Sequence, residues 1–67
     1  MSKFLKTIIK NELQDNEHIW IQPPHRDLEE EWWKFDEYTL DNIFSVYSGK
    51  EQVKRFWHED GLCIILK

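Results

Sequence analysis

Three histidines, one cysteine and thirteen carboxylates are the main chemical groups this chain offers. The histidines are His18, His25 and His58, and none stands at zinc-ligand spacing from another histidine or from Cys63. A P-loop, an EF-hand loop and a dinucleotide glycine pattern are all absent from the sequence. Ser45 and Ser48 lack the flanking glycines of a nucleophile elbow. His58-Glu59-Asp60 sets a base beside two acids, but with Gly61 next it reads first as a charged hairpin turn. Paired carboxylates are plentiful, yet glycosidic chemistry needs two of them across a cleft, and a chain of 67 residues rarely encloses one. The expectation is a protein without enzymatic activity, metal or cofactor, one that works by binding.

What the sequence concentrates is charge. DLEEEWWKFDE, residues 27–37, packs six carboxylates around Trp32, Trp33 and Phe35. Over residues 27–41 the acids are Asp27, Glu29, Glu30, Glu31, Asp36, Glu37 and Asp41; seven acids against Lys34 give a net charge of −6. Residues 1–10 carry Lys3, Lys6 and Lys10 and no acid, and residues 50–55 carry Lys50, Lys54 and Arg55 against Glu51. Such segregation suggests an oriented electrostatic surface rather than mixed solubilising charge. In an extended chain Glu29, Glu31, Trp33, Phe35 and Glu37 share one face, and Glu30, Trp32, Lys34, Asp36 and Tyr38 the other. Carboxylates two residues apart then stand about 6.5–7 Å from each other, close to the phosphate spacing along a nucleic-acid strand. A row of this kind suits the basic surface of a DNA-binding protein, and the seven acids are the candidate contact residues. The plainer alternative is a solvated face that guards a sheet edge against aggregation, with the aromatics in the core. Lys50, Lys54 and Arg55 beside Phe56 and Trp57 resemble a basic-aromatic patch for single-stranded nucleic acid. The acidic stretch would repel phosphate, so direct nucleic-acid binding is not expected.

The elements that must carry these residues read as follows. Phe4, Leu5, Ile8, Ile9 and Leu13 recur at helical spacing with lysines opposite, predicting a helix over about 3–14, capped by Ser2 and ended by Asp15 and Asn16. HIWIQ, residues 18–22, predicts a strand bounded by Pro23-Pro24. Aromatic and β-branched runs at about 31–38, 42–48, 52–58 and 62–66, separated by TLDN, SGK and HEDG, suggest an antiparallel meander. Asp60-Gly61 is the strongest hairpin signal. A helical alternative stands beside the meander. Asp27 with Glu30 fits a capping box, Leu28, Trp32 and Phe35 fall at i, i+4, i+7, Leu40, Ile43, Phe44 and Tyr47 also fit a helix, and Ser48 with Glu51 fits another cap. The expected architecture is α+β: an N-terminal helix packed on a small antiparallel β-meander in a single domain, residues 1–67.

Size and composition set the bounds. A domain of about 60 residues buries only about 60% of the surface its unfolded chain exposes, so the core must be rich. Four Trp, four Phe and two Tyr can supply it, and homodimerisation is another route to stability. Cys63 has no disulfide partner within the chain and lies in the apolar run LCIIL, where a buried thiol is expected. That run is far too short to span a bilayer, and the opening has no signal-peptide pattern. A cytoplasmic protein without a membrane contact is expected.

The short opening MSKFLKTIIKNELQ, the acidic middle and the absence of catalytic motifs resemble the small host-takeover proteins of bacteriophages, in particular acidic DNA mimics such as Bacillus-phage inhibitors of the histone-like protein HU. The resemblance is one of general character over the whole chain and transfers no residue by motif. It implies a partner, HU or a similar basic nucleoid protein, whose DNA-binding surface an acidic edge fills. Other DNA mimics carry a higher acid fraction, so mimicry here requires the charge to be local. The competing expectation is a small regulator that docks on RNA polymerase or another host enzyme through an aromatic surface.

Overall fold

The run LCIIL is apolar on both of its faces, which suits an interior strand. In the computed structural model, which describes residues 3–14, 17–24 and 35–67, this run becomes β5 (Leu62–Leu66), buried at all five positions. Around it stand β1 (Lys3–Phe4), β2 (Ile19–Gln22), β3 (Asp36–Tyr38) and β4 (Gln52–His58), with helices α1 (Leu5–Glu12) and α2 (Leu40–Val46). The strands form one sheet in the order β1-β4-β5-β2-β3. Three pairings are antiparallel, and β2 runs parallel to β5.

Register divides the side chains between two faces. Ile19, Ile21, Leu62, Ile64, Leu66 and Val53 meet Leu5, Ile8 and Ile9 of α1 and Ile43 of α2 in one core. Each such side chain contributes roughly 1.5–3 kcal/mol on full burial. On the other face Trp20 and Trp57 flank Cys63 in register, and Cys63 and Ile65 are buried. Phe35 packs edge-to-face on Trp57, with ring centroids 5.9 Å apart. A register shift between Val53 and Arg55 lets Val53 and Phe56 both sit on the helix side, although three positions separate them.

The α+β class and the helix on a sheet are as the sequence predicts, and so are strands at 52–58 and 62–66 and the turn at Asp60-Gly61. Three details differ. Residues 40–46 are helix, where the β-branched and aromatic content suggests a strand. The reason is the start of the segment: Thr39 and Asn42 form a capping box, with Asn42 Oδ1 accepting the Thr39 N–H at 2.8 Å. Asp41 lies in the first helical turn, where a carboxylate favours the helix dipole. TLDN is thus a helix start and not a turn. The sheet is also mixed rather than a meander, because β5 inserts between β4 and β2. Finally, Lys3 and Phe4 pair with β4, so α1 begins at Leu5. The expected caps at Ser2, Asp15 and Asn16, and the strand-or-helix alternatives over 28–34, lie outside the described residues.

The Ser48/Glu51 motif caps no helix of its own. The Glu51 carboxylate accepts the N–H groups of Ser48 at 3.0 Å and Gly49 at 2.9 Å, and the loop so formed leads into β4. Its carbonyls face α1 instead: Leu5 N–H donates to Glu51 O at 2.8 Å and Lys6 N–H to Gly49 O at 2.9 Å. Two N–H groups that a helix start leaves without an intrahelical partner are satisfied in this way.

Candidate functional site

Of the seven candidate acids, Asp27, Glu29, Glu30 and Glu31 lie outside the described residues. The other three are Asp36, Glu37 and Asp41. Asp36 pairs across β3–β2 with Ile21 and therefore projects to the helix side; Glu37 pairs with Trp20 and projects to the opposite side. This is the alternation the extended reading predicts. Glu37 is exposed and its Oε2 faces Nδ1 of His18. Asp41 is exposed on α2. The structure does not bring these three acids onto one face. It does place Asp36 and Glu37 together on β3, which ends the strand order.

The bases gather toward the opposite edge. Lys3 lies on β1 and Lys54 and Arg55 on β4, while Lys67 N–H donates to Gln52 O at 3.0 Å and so joins the same end of β4. Arg55 stands 5.1 Å over the Trp57 ring. Four strand spacings separate β1 from β3, about 19 Å at roughly 4.8 Å each. The sheet thus carries opposite charge on its two margins.

His58 does not form an acid–base group with its sequence neighbours. Its Nδ1 lies 3.1 Å from Glu17 Oε2 and its Nε2 3.5 Å from Glu12 Oε1. Trp57 Nε1–H instead donates to Glu59 at 3.2 Å. The hydrogen bond with Glu17 raises the His58 pKa, burial opposes the rise, and Glu12 adds to it. For Glu17, burial acts upward, but the Gln14 N–H and His58 outweigh it and hold its pKa below the usual value. With both ring nitrogens facing carboxylates, His58 clasps the end of α1 and the following loop to β4. Among the described residues no group of three His, Cys, Asp or Glu is arranged to hold a metal ion, and no helix is long and apolar enough to cross a membrane.

Cys63 is buried, with its thiol near Glu59 O at 3.3 Å. Burial pushes its pKa up to about 11, so it carries little thiolate near neutral pH and is a poor nucleophile.

One surface escaped the sequence reading. Phe4, Leu40, Phe44 and Val46 are exposed, at 44, 55, 46 and 59%. α2 is short, and Ile43 is its buried residue. At 100° per residue Leu40, Ile43, Phe44 and Tyr47 fall within about 100° of arc and form one apolar stripe, yet Ile43 is the residue of α2 that is buried, and Leu40 and Phe44 are left exposed. That signal was available in the helical alternative and absent from the strand reading. Beside Leu40 a cleft of about 670 Å³ runs between the two helices. Comparison with family models, with characterised proteins and with solved structures finds no match to this chain.

Proposed function

We propose that this chain is an inhibitory binding protein that presents carboxylates to the DNA-binding surface of a basic bacterial nucleoid protein of the HU type, and so keeps DNA from it. The observation that carries the reading is the position of β3. It is the terminal strand of the order, it holds Asp36 and Glu37, and three register pairs fix it to β2. Asp27, Glu29, Glu30 and Glu31 precede it closely in sequence. Carboxylates fixed on a strand lose little conformational freedom on docking, which favours them over flexible acids. A bacteriophage origin and a site of action in the host cytoplasm accompany this reading, with no catalytic role and no cofactor.

The test is a DNA-displacement titration against HU at two salt concentrations. Wild type should displace DNA at low salt and weaken steeply at high salt, because such contacts are screened. Reversing Glu29, Glu30 and Glu31 together to lysine should abolish the competition in a chain that remains folded. Wild type that leaves DNA on HU even at low salt ends the proposal.

A second reading rests on a different observation. The exposed Phe4, Leu40, Phe44 and Val46 are what a regulator would use to dock on RNA polymerase or another host enzyme through apolar contacts. Such docking should change little with salt.

A further inference from the structure

His58 meets its two carboxylates in unequal ways. Nδ1 lies 3.1 Å from Glu17 Oε2, in hydrogen-bonding geometry. Nε2 lies 3.5 Å from Glu12 Oε1, an ion pair whose attraction depends on a charged ring. The two carboxylates also differ in what else holds them. Glu17 Oε1 accepts the Gln14 N–H at 2.9 Å. Glu12 is the last residue of α1, where the helix dipole disfavours a negative charge. An imidazolium donates from both nitrogens, whereas a neutral imidazole has one N–H and one acceptor nitrogen. The neutral ring can therefore keep one of these carboxylates and must turn a lone pair to the other.

From this asymmetry we propose that the proton on His58 is a latch on α1: with it, the last turn of the helix is tied to β4, and without it Glu12 is released while Glu17 stays. The neutral ring keeps its proton on Nδ1, where the contact is shorter and Glu17 has a second anchor. Nε2 then repels Glu12, and the helix end loses its tie. The surroundings leave the choice to these two acids. Leu62, the strand partner of His58, is apolar. Glu59 and Asp60 adjoin His58 in the turn, but Glu59 is engaged by the Trp57 Nε1–H. The Cys63 thiol points to Glu59 O. His18, next to Glu17, is turned to Glu37 on β3. Release is local, because Leu5, Ile8 and Ile9 hold the earlier turns of α1 by burial. What responds is the end of α1 that, with Lys10, Leu13 and Gln14, walls the cleft beside Leu40. That wall is firm in mildly acid solution and looser once His58 is neutral, whichever partner the protein binds.

The experiment follows the full chain, ¹⁵N-labelled, by NMR from about pH 5 to about pH 9. The ring nitrogens report the tautomer directly. Above its midpoint His58 should hold the proton on Nδ1, whereas a histidine free in water favours Nε2. The midpoint should lie above 6.5, since the pKa is raised from that value. Amides of Asn11, Glu12 and Leu13 should shift with the same midpoint, while those of Ile8 and Ile64 stay still. Glu12→Gln removes the charge at a half-buried surface position and keeps the shape, so it should fold. The ratio of amide-exchange protection at residues 11–13, wild type over Glu12→Gln, should fall roughly two- to fivefold between pH 6 and pH 8.5. A neutral ring protonated on Nε2 would overturn the latch. So would amides at 11–13 that ignore the His58 midpoint, or a protection ratio that does not change with pH. Amides at 11–13 that move in Glu12→Gln as they do in wild type would place the pH response on Glu17 alone and overturn it equally.

Discussion

Gly61 holds a conformation and a position that other residues fill poorly. Its φ is 126°, next to Asp60 at 58°, and a Cβ at Gly61 would come 2.7 Å from the carbonyl oxygen of His18. Both strain and collision therefore oppose a side chain. Gly61→Ala should destabilise the fold by roughly 1–3 kcal/mol. Urea denaturation measures this, and an unshifted midpoint would contradict the tight packing of the turn on β2. Cys63 makes a second test at this scale. Being buried with a raised pKa, it should react with a thiol reagent only when the chain opens. Cys63→Ser should lower stability by about 1–3 kcal/mol, as a hydroxyl replaces a thiol in apolar surroundings. Rapid labelling of the native protein would show that β5 is not enclosed.

The elements divide into those fixed by near neighbours and those fixed by distant ones. Asn42→Ala removes the acceptor of the Thr39 N–H and should cost about 0.5–2 kcal/mol, with NMR shift changes concentrated in 39–47; shifts spread evenly over the sheet would deny Thr39 and Asn42 a local capping role. This cap also explains what the sequence hid. Threonine, aspartate and asparagine serve turns and helix starts equally well, so TLDN was ambiguous, and the β-propensity of the following residues was a weak guide against it. α1, β4, β5 and the turn at Asp60-Gly61 were legible because periodicity and glycine are local signals. The alternation that sends Asp36 and Glu37 to opposite faces was legible too, since it needs only an extended chain. The parallel pairing of β2 with β5 was not, because nothing within either strand names its neighbour. LCIIL did announce a strand covered on both sides, which an edge of a meander would not be. The Ser48/Glu51 motif was read as the cap of a further helix; it closes a loop instead, whose carbonyls serve a helix more than 40 residues earlier, and such a partner cannot be read from spacing.

At the scale of the whole molecule, pH should act through the clasp of His58 with Glu17 and Glu12. His58 has a raised pKa in the fold. Its contribution is therefore complete below its unfolded value, near 6.5, and is lost as pH rises through the folded value. Glu17 has a lowered pKa, so its contribution is present above its unfolded value, near 4.5, and is lost as pH falls through the folded one. Both are present together between about pH 4.5 and 6.5. The His58 side chain is 37% exposed, so solvent screening limits the effect to roughly 0.2–1 kcal/mol. Wild type should lose that much relative to His58→Gln between pH 6 and pH 8.5 in paired urea titrations. Parallel curves for the two proteins would mean that the clasp contributes nothing. Charge separation across the sheet has its own signature: a partner held at the β3 margin should depart as salt rises, whereas one held on the exposed Phe4, Leu40, Phe44 and Val46 should remain.

The placement of β5 has a consequence for how the chain is made. The middle strand of the sheet is the last of the five to leave the ribosome. Its parallel partner β2 begins at Ile19, and the pairing starts with Leu62, so the growing chain must extend by 43 residues before the two can meet. At about 5–20 residues per second that interval is roughly 2–9 s. Throughout it, β2 can pair with β3 at most, and the carbonyls that complete α1 do not yet exist for most of that time. A nascent chain halted before Leu62 should therefore be open to protease attack and to chaperone capture along its whole length, and should become resistant in one step once β5 has emerged.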